Sequence, residues 1–250
     1  MCGRYVLKKR DLEALLAQLG VKDPRDFVSR YNIAPTTVVP AIRRRKDTAG
    51  PEGVALQWGL VPFWAKDAAG GARLANARAE GIAAKPSFRE PFRHRRCAVP
   101  ASGFYEWQTL GKRKFPWYFE RREGAPFCLA GLWDHWRAPD GSTLETFSLI
   151  TTTPNEVVAR VHDRMPVILE GPALATWLDP AIEDPAHLEP LLVPVPGATM
   201  QATPVSPQMN NVRHEGPDCI APVPPPALPP AAGGRTAAHG GDTQLPLGLD

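Results

Sequence analysis

No apolar run in this 250-residue chain approaches the ~20 residues that a membrane-spanning helix needs, because Pro, Gly or a charge interrupts each one early. The start carries no apolar signal region either, since Lys8, Lys9, Arg10 and Asp11 come too soon. Cysteine is scarce: Cys2, Cys97, Cys128 and Cys219 lie far apart without any CxxC spacing. That argues against a zinc site and for a reducing compartment where thiols stay free. Strong charge is also missing. A net charge of +3 and a pI near 8.7 permit binding to a polyanion without requiring it. A cytoplasmic protein with no membrane partner is the expectation, and a monomer is the default.

Hydrophobic residues make up 43% of the chain and there are seven tryptophans, enough for a real core and against global disorder. "RDLEALLAQLG" spaces Leu12, Leu15, Leu16 and Leu19 at helical intervals and stops at Gly20. "VPFWAKDAAGGARLANARAEG" reads as a long loop and then a short helix starting near Asn76. Between Cys97 and Thr151, short β-branched and aromatic runs punctuated by Gly and Pro predict an antiparallel sheet. "TTPNEVVARVH" carries a capping box, Thr153 to Glu156, with Pro154 at the first helical position. "GPALATWLD" is another short helix. The fold class is therefore α+β and β-rich, one domain over residues 2–222. Residues 223–250 are Pro/Gly/Ala-rich and predict a disordered tail.

The first two residues are chemically distinctive. Loss of Met1 would leave Cys2 with a free α-amine beside its thiol. Such an amine, with pKa near 7.8, is roughly a tenth neutral at pH 7, whereas lysine is almost wholly charged. It can form a Schiff base with an aldehyde, and the neighbouring thiol can close a five-membered thiazolidine. A plain thiol nucleophile and an inert terminal residue are the competing uses. Glu106, in "GFYEWQ", lies between Tyr105 and Trp107, where partial desolvation would suit it to general-acid work or leave it a surface strand residue. His162, in "RVHDRMP", is either a proton shuttle or a core histidine. Asn76 either binds a reacting oxygen or amine or caps a helix.

"MCGRY", "RYNIAPTT", "WGLVPFWAK", "NARAEG", "GFYEW", "ITTTPN", "HDRMP" and "VSPQMNNV", in that order, closely resemble the SRAP family, the SOS-response-associated peptidase-like proteins. The resemblance runs from Cys2 to about Ile220. It implies a β-rich fold with a barrel-like core and flanking helices. It implies recognition of abasic sites in single-stranded DNA, shielded by a covalent thiazolidine link to the N-terminal cysteine. Cys2 is then the nucleophile, and Asn76, Glu106 and His162 match the family's active-site Asn, Glu and His. Arg4, Arg78 and Arg164 would contact phosphates, Phe63, Trp64 and Trp107 would stack on or wedge between bases, and Asn32 and Pro35 would shape the same groove. Asn210 and Asn211 would buttress the site. No metal or cofactor is implied, and lyase activity and slow reversal are side capacities. A thiol peptidase using Cys2 and a non-covalent single-strand binder are the alternatives. At the end of the tail, Gln244, Leu245, Leu247 and Leu249 of "QLPLGLD" look like the short peptides that bacterial replication proteins insert into the sliding clamp.

Overall fold

The computed structural model describes residues 2–226 apart from Asp23 and Arg25. The strands are β1 (Arg4–Leu7), β2 (Arg30–Ile33), β3 (Val38–Arg43), β4 (Glu52–Trp58), β5 (Asn76–Arg78), β6 (Arg96–Ala101) and β7 (Gly103–Leu110). They continue as β8 (Arg113–Arg121), β9 (Phe127–Arg137), β10 (Thr143–Thr152), β11 (Met165–Pro166), β12 (Ile168–Leu169) and β13 (Met200–Pro204). The α-helices are α1 (Lys9–Leu19), α2 (Arg89–His94), α3 (Gly171–Leu178) and α4 (Pro185–Leu188).

The barrel closes through β9, whose run "FCLAGLWDHW" is almost wholly buried and long enough to serve two neighbours. Its first half pairs with β6, from Phe127 opposite Ala101 to Leu132 opposite Arg96. Its second half pairs with β10, from Gly131 opposite Leu149 to Arg137 opposite Thr143. Strand β10 also pairs with β4, and β4–β3–β6 completes the ring. Where β9 passes β6, a Cβ on Gly131 would lie 2.8 Å from Cys97 Sγ, so a larger residue there would force the thiol to move. The pairings are mostly antiparallel, as the turn-rich sequence predicts, but β10 runs parallel to both β4 and β5. A second, wholly antiparallel sheet, β13–β8–β7–β1–β2, carries the N-terminal strand.

Trp58, fully buried at the end of β4, ties the two sheets together. Tyr5 of β1 meets it edge-on at 5.5 Å, and Phe147 of β10 stacks on it at 6.3 Å with an 11° interplanar angle. Such pairs are worth about 1 kcal/mol each beyond the area they bury. The Trp58 Nε1–H donates to the Ala75 carbonyl at 2.8 Å. One core side chain thus holds both the strand that follows Cys2 and the residue before Asn76. Helix α1 packs Leu12, Leu15 and Leu16 inward and ends at Gly20, whose φ of 67° is the left-handed conformation that glycine adopts without strain.

Two expected helices are absent. Asn76 opens β5, held beside β10 with Asn76 opposite Leu149 and Arg78 opposite Thr151. "TTPNEVVARVH" forms only a single 3₁₀ turn, Val158–Arg160. Its capping oxygen is Asn155 Oδ1, which accepts from the Val157 and Val158 amides at 3.2 and 3.0 Å, in place of Thr153. Asn155 also donates to the Val195 carbonyl at 3.0 Å, so contacts made elsewhere in the chain override the local helix signal. The tail residues 227–250, including Gln244, Leu245, Leu247 and Leu249, lie outside the described residues. Among the described residues, no helix is long and apolar enough to cross a membrane.

Candidate active site

Cys2, Asn76, Glu106 and His162 come from four separate parts of the fold and converge. The antiparallel register that sets Arg4 opposite Tyr105 brings Glu106, the next residue of β7, level with the residues before Arg4. Strand β5 presents Asn76, whose Nδ2 donates to the Cys2 carbonyl at 2.8 Å. The Oδ1 of the same amide is buried and has no hydrogen-bond donor among the described residues. The turn after Val158–Arg160 returns His162, with Nε2 3.7 Å from Glu106 Oε2.

Burial sets the protonation states in opposite senses. Glu106 is 1% exposed, and desolvation, with the Asp163 carboxylate adding to it, pushes its pKa up from 4.5 to about 8. Burial lowers the pKa of His162, favouring its neutral form. At 3.7 Å, burial thus favours the uncharged form of both partners over an ion pair. Two titratable groups pushed apart in this way can divide acid and base duties.

The main chain assigns the tautomer of His162. Nδ1 lies 3.0 Å from the Arg164 amide nitrogen and 3.3 Å from the Arg164 carbonyl oxygen. An amide always carries its hydrogen, and here that hydrogen points at Nδ1, so Nδ1 accepts and the ring proton sits on Nε2, toward Glu106. The Asp163 carboxylate, 3.2 Å from Nδ1, would stabilise the doubly protonated ring.

The Cys2 thiol is fully buried, and desolvation first, then the Glu106 charge, pushes its pKa far above the ordinary thiol range. Thiolate nucleophiles sit in environments that do the opposite. Cys97, Cys128 and Cys219 are buried free thiols.

The expected DNA-contact residues divide. Phe63 and Trp64 are each 55% exposed, and Arg78 is exposed. Trp107 is half-buried and donates from Nε1 to Asn210 Oδ1 at 2.7 Å. Pro35 is half-buried beside Thr36, whose φ is 75°. Asn32 faces inward: its amide donates to the Met209 and His214 carbonyls at 2.9 and 2.8 Å and its oxygen accepts from Arg4 at 2.8 Å. Arg4 also reaches the Met209 carbonyl at 3.2 Å, which straps the "PQMN" segment to β1 and β2. Arg164 is buried and already paired: Glu80 takes both its terminal nitrogens, at 2.6 and 3.0 Å, and the Thr151 carbonyl accepts a third bond at 2.5 Å. Its guanidinium ties the His162 loop to β10 through Thr151 and to the turn after β5 through Glu80.

Sequence reasoning passed over Asp163 and Glu80. Both sit inside quoted motifs, but nothing local indicates that Glu80 meets a guanidinium 84 residues away. Elsewhere, ligand atoms of His214, Asp218 and Cys219 lie within 4.8 Å of one another, with His214 Nε2 hydrogen-bonded to Asp218 at 2.6 Å.

A family described as "SOS response associated peptidase (SRAP)" matches residues 1–212. The chain is 38% identical over 224 residues to the abasic site processing protein YoqW of Bacillus subtilis (strain 168), covering 88% of this chain and 99% of that one. Against the abasic site processing protein HMCES of Mus musculus it is 32% identical over 239 residues, covering 81% and 67%. A solved structure from Bacteroides thetaiotaomicron superposes with a TM-score of 0.78 at 27% identity, over 89% of this chain and all (100%) of the other.

Proposed function

The chain belongs to the SRAP family, and on that premise we propose that it captures abasic sites in single-stranded DNA as a thiazolidine on Cys2, once Met1 has been removed. The observation that carries this reading is the Asn76 amide, which holds the Cys2 carbonyl at 2.8 Å and keeps its own oxygen buried as an acceptor. That pair fixes residue 2 by its backbone, where an α-amine nucleophile needs fixing and a side-chain thiolate would not.

The abasic sugar is mostly a closed hemiacetal. Glu106, kept protonated by burial, donates a proton to the ring oxygen while the C1′ hydroxyl gives its own proton to solvent, and the sugar opens to the aldehyde. The neutral Cys2 amine adds to C1′, and the resulting carbinolamine loses water to give the imine, with His162 Nε2–H hydrogen-bonded to the departing or developing oxygen. The thiol sulfur then bonds to C1′, its proton passes to the nitrogen, and the five-membered ring closes. One water leaves overall and no redox change occurs. Asn76 Oδ1 accepts from the α-amine and orients its lone pair. Holding both partners in reacting geometry is worth several kcal/mol of barrier. Glu106 and His162 would run the same steps backward for slow reversal. A thiol peptidase needs a thiolate, and burial of Cys2 works against one.

A Cys2→Ala variant separates amine from thiol. It keeps an N-terminal amine after Met1 removal, so it should form only an imine, trapped by borohydride and lost on heating without it. The wild type should give a heat-stable adduct with no reductant. A heat-stable adduct from Cys2→Ala would end the proposal.

A further inference from the structure

Apart from the reacting residues, one short loop, residues 214–219, gathers an imidazole, a carboxylate and a thiol whose ligand atoms all lie within 4.8 Å of one another. Cys219 is the buried member. It is 1% exposed, packs with Val6, Tyr105, Tyr118 and Met209, and turns its Sγ to the His214 carbonyl at 3.7 Å. The His214 and Asp218 side chains face solvent more, and a 2.6 Å bond joins Nε2 of one to Oδ2 of the other. Gly216, with φ 149°, makes the turn between them; a Cβ there would lie 2.9 Å from Asp218 Oδ1. The loop is fixed from outside as well. Asn32 donates to the His214 carbonyl at 2.8 Å, and Glu215 is committed to β2, accepting from Arg30 at 2.9 Å and from the Tyr31 amide.

We infer that this loop binds a borderline-soft divalent cation, zinc above all, through Cys219 Sγ, the Asp218 carboxylate and His214 Nε2, with water as the fourth ligand. Thiolate and imidazole together select zinc over the hard cations that prefer oxygen. Metal–donor bonds of about 2.0–2.3 Å place tetrahedral donors roughly 3.3–3.6 Å apart. The His214–Asp218 pair must therefore spread by about 1 Å, and no other pair need close by more than about 1.5 Å. The exposed Asp218 side chain can make that move by rotation. On binding, the thiol proton leaves to solvent, the neutral imidazole passes its Nε2 hydrogen to Nδ1 by way of water, and the Cys219 and Asp218 charges cancel the two of the ion. Asp218 and Glu215 both bring negative charge to bear on the Cys219 sulfur. Arg4 opposes them, but its guanidinium is already held by Asn32 and the Met209 and Asn210 carbonyls. The lack of CxxC excludes the common paired-cysteine motifs and leaves open a site that one loop builds around a single thiol. The ion would fasten the segment that straps β1 and β2, whose Asn210 accepts from Trp107.

The test titrates the metal-free, full-length protein with Co²⁺ and then with Zn²⁺, in a Cys2→Ala background that removes the other aminothiol able to take a metal. One Co²⁺ should bind per chain, with a thiolate-to-metal charge-transfer band in the near ultraviolet and the visible bands of a tetrahedral ion, and Zn²⁺ should displace it. Cys219→Ser in the same background should abolish the charge-transfer band. Asp218→Asn lies in solvent and keeps an oxygen for the His214 hydrogen bond, so its metal-free Tm should match that of its parent. Its Zn²⁺ affinity should nevertheless fall by more than the roughly tenfold that an outer-sphere partner is worth. Zn²⁺ at 100 times its Kd should raise the parent's Tm by about 5–11 °C and leave that of Cys219→Ser in place. A charge-transfer band that is missing, or that survives Cys219→Ser, overturns the inference. So does an Asp218→Asn variant that binds Zn²⁺ as tightly as its parent.

Discussion

Glu106→Gln should make the protein more stable at alkaline pH while crippling it as a catalyst. The carboxyl is 1% exposed and its pKa is raised from 4.5 to about 8 by burial. A raised folded-state pKa means that the folded form binds the proton more tightly than the unfolded chain does. The stabilising contribution is therefore complete below pH 4.5 and is lost as pH climbs through about 8. Integrating the two titrations, the wild type should lose ~4 kcal/mol between pH 5 and pH 9 from this residue alone. Glutamine fills almost the same volume and has no proton to lose, so the variant should not share that loss. For a chain of this size ~4 kcal/mol corresponds to roughly 8–16 °C in Tm.

The assay is urea or thermal unfolding of both proteins at pH 5, 7 and 9, with cross-linking of an abasic oligonucleotide followed in parallel. The two stability curves should nearly meet at pH 5 and diverge steadily above it, with the variant higher. Cross-linking by the variant should fall about 10²–10⁴-fold, the range for removal of a general acid. Parallel stability curves, with the same slope in both proteins, would refute the claim that residue 106 is a buried neutral acid. Such a residue would be one the fold keeps at a cost in stability for the sake of its chemistry.

Three further outcomes follow from the geometry. The wild-type cross-linking rate should pass through a maximum, rising as the α-amine loses its proton near its ordinary pKa of about 7.7–8.0 and falling as Glu106 ionises around its raised value of about 8. A pH–rate series would reveal it, and a rate still climbing at pH 10 would contradict it. Asn76→Ala removes the 2.8 Å bond to the Cys2 carbonyl; stability should drop by about 1 kcal/mol and single-turnover cross-linking by up to about 10². An unchanged rate would remove Asn76 from the mechanism. Glu80→Ala leaves the buried Arg164 guanidinium without its carboxylate. It should destabilise by about 1–3 kcal/mol and broaden the His162 ring resonances in a ¹⁵N-histidine spectrum; a sharp, unshifted Nε2–H tautomer would show that the loop holds itself.

How much of this was legible beforehand depends on how local each signal is. Helix α1 could be read from four leucines and a glycine, because everything that forms and stops it lies within the segment itself. The strands after Cys97 were legible for the same reason. Strand β5 was not: three residues become a strand only because β10, about 70 residues away, runs parallel beside them. The Thr153–Glu156 capping box is a genuine local preference that Asn155 overrides through its bond to the Val195 carbonyl. At the site, residue chemistry offered Cys2, Glu106, His162 and Asn76 only as candidates, and the family resemblance singled them out. The structure adds what neither source carries: which carbonyl Asn76 holds, which nitrogen of His162 bears the proton, and which groups within the chain meet Arg4 and Arg164.

Intact-mass spectrometry of the protein from its native cells, before and after incubation with abasic single-stranded DNA, bears most directly on the central claim. The account predicts a polypeptide lacking Met1 that becomes, without reductant, a single species equal to protein plus oligonucleotide less one water. A chain that retains Met1, or one that has lost Met1 and still gains no mass, would contradict it.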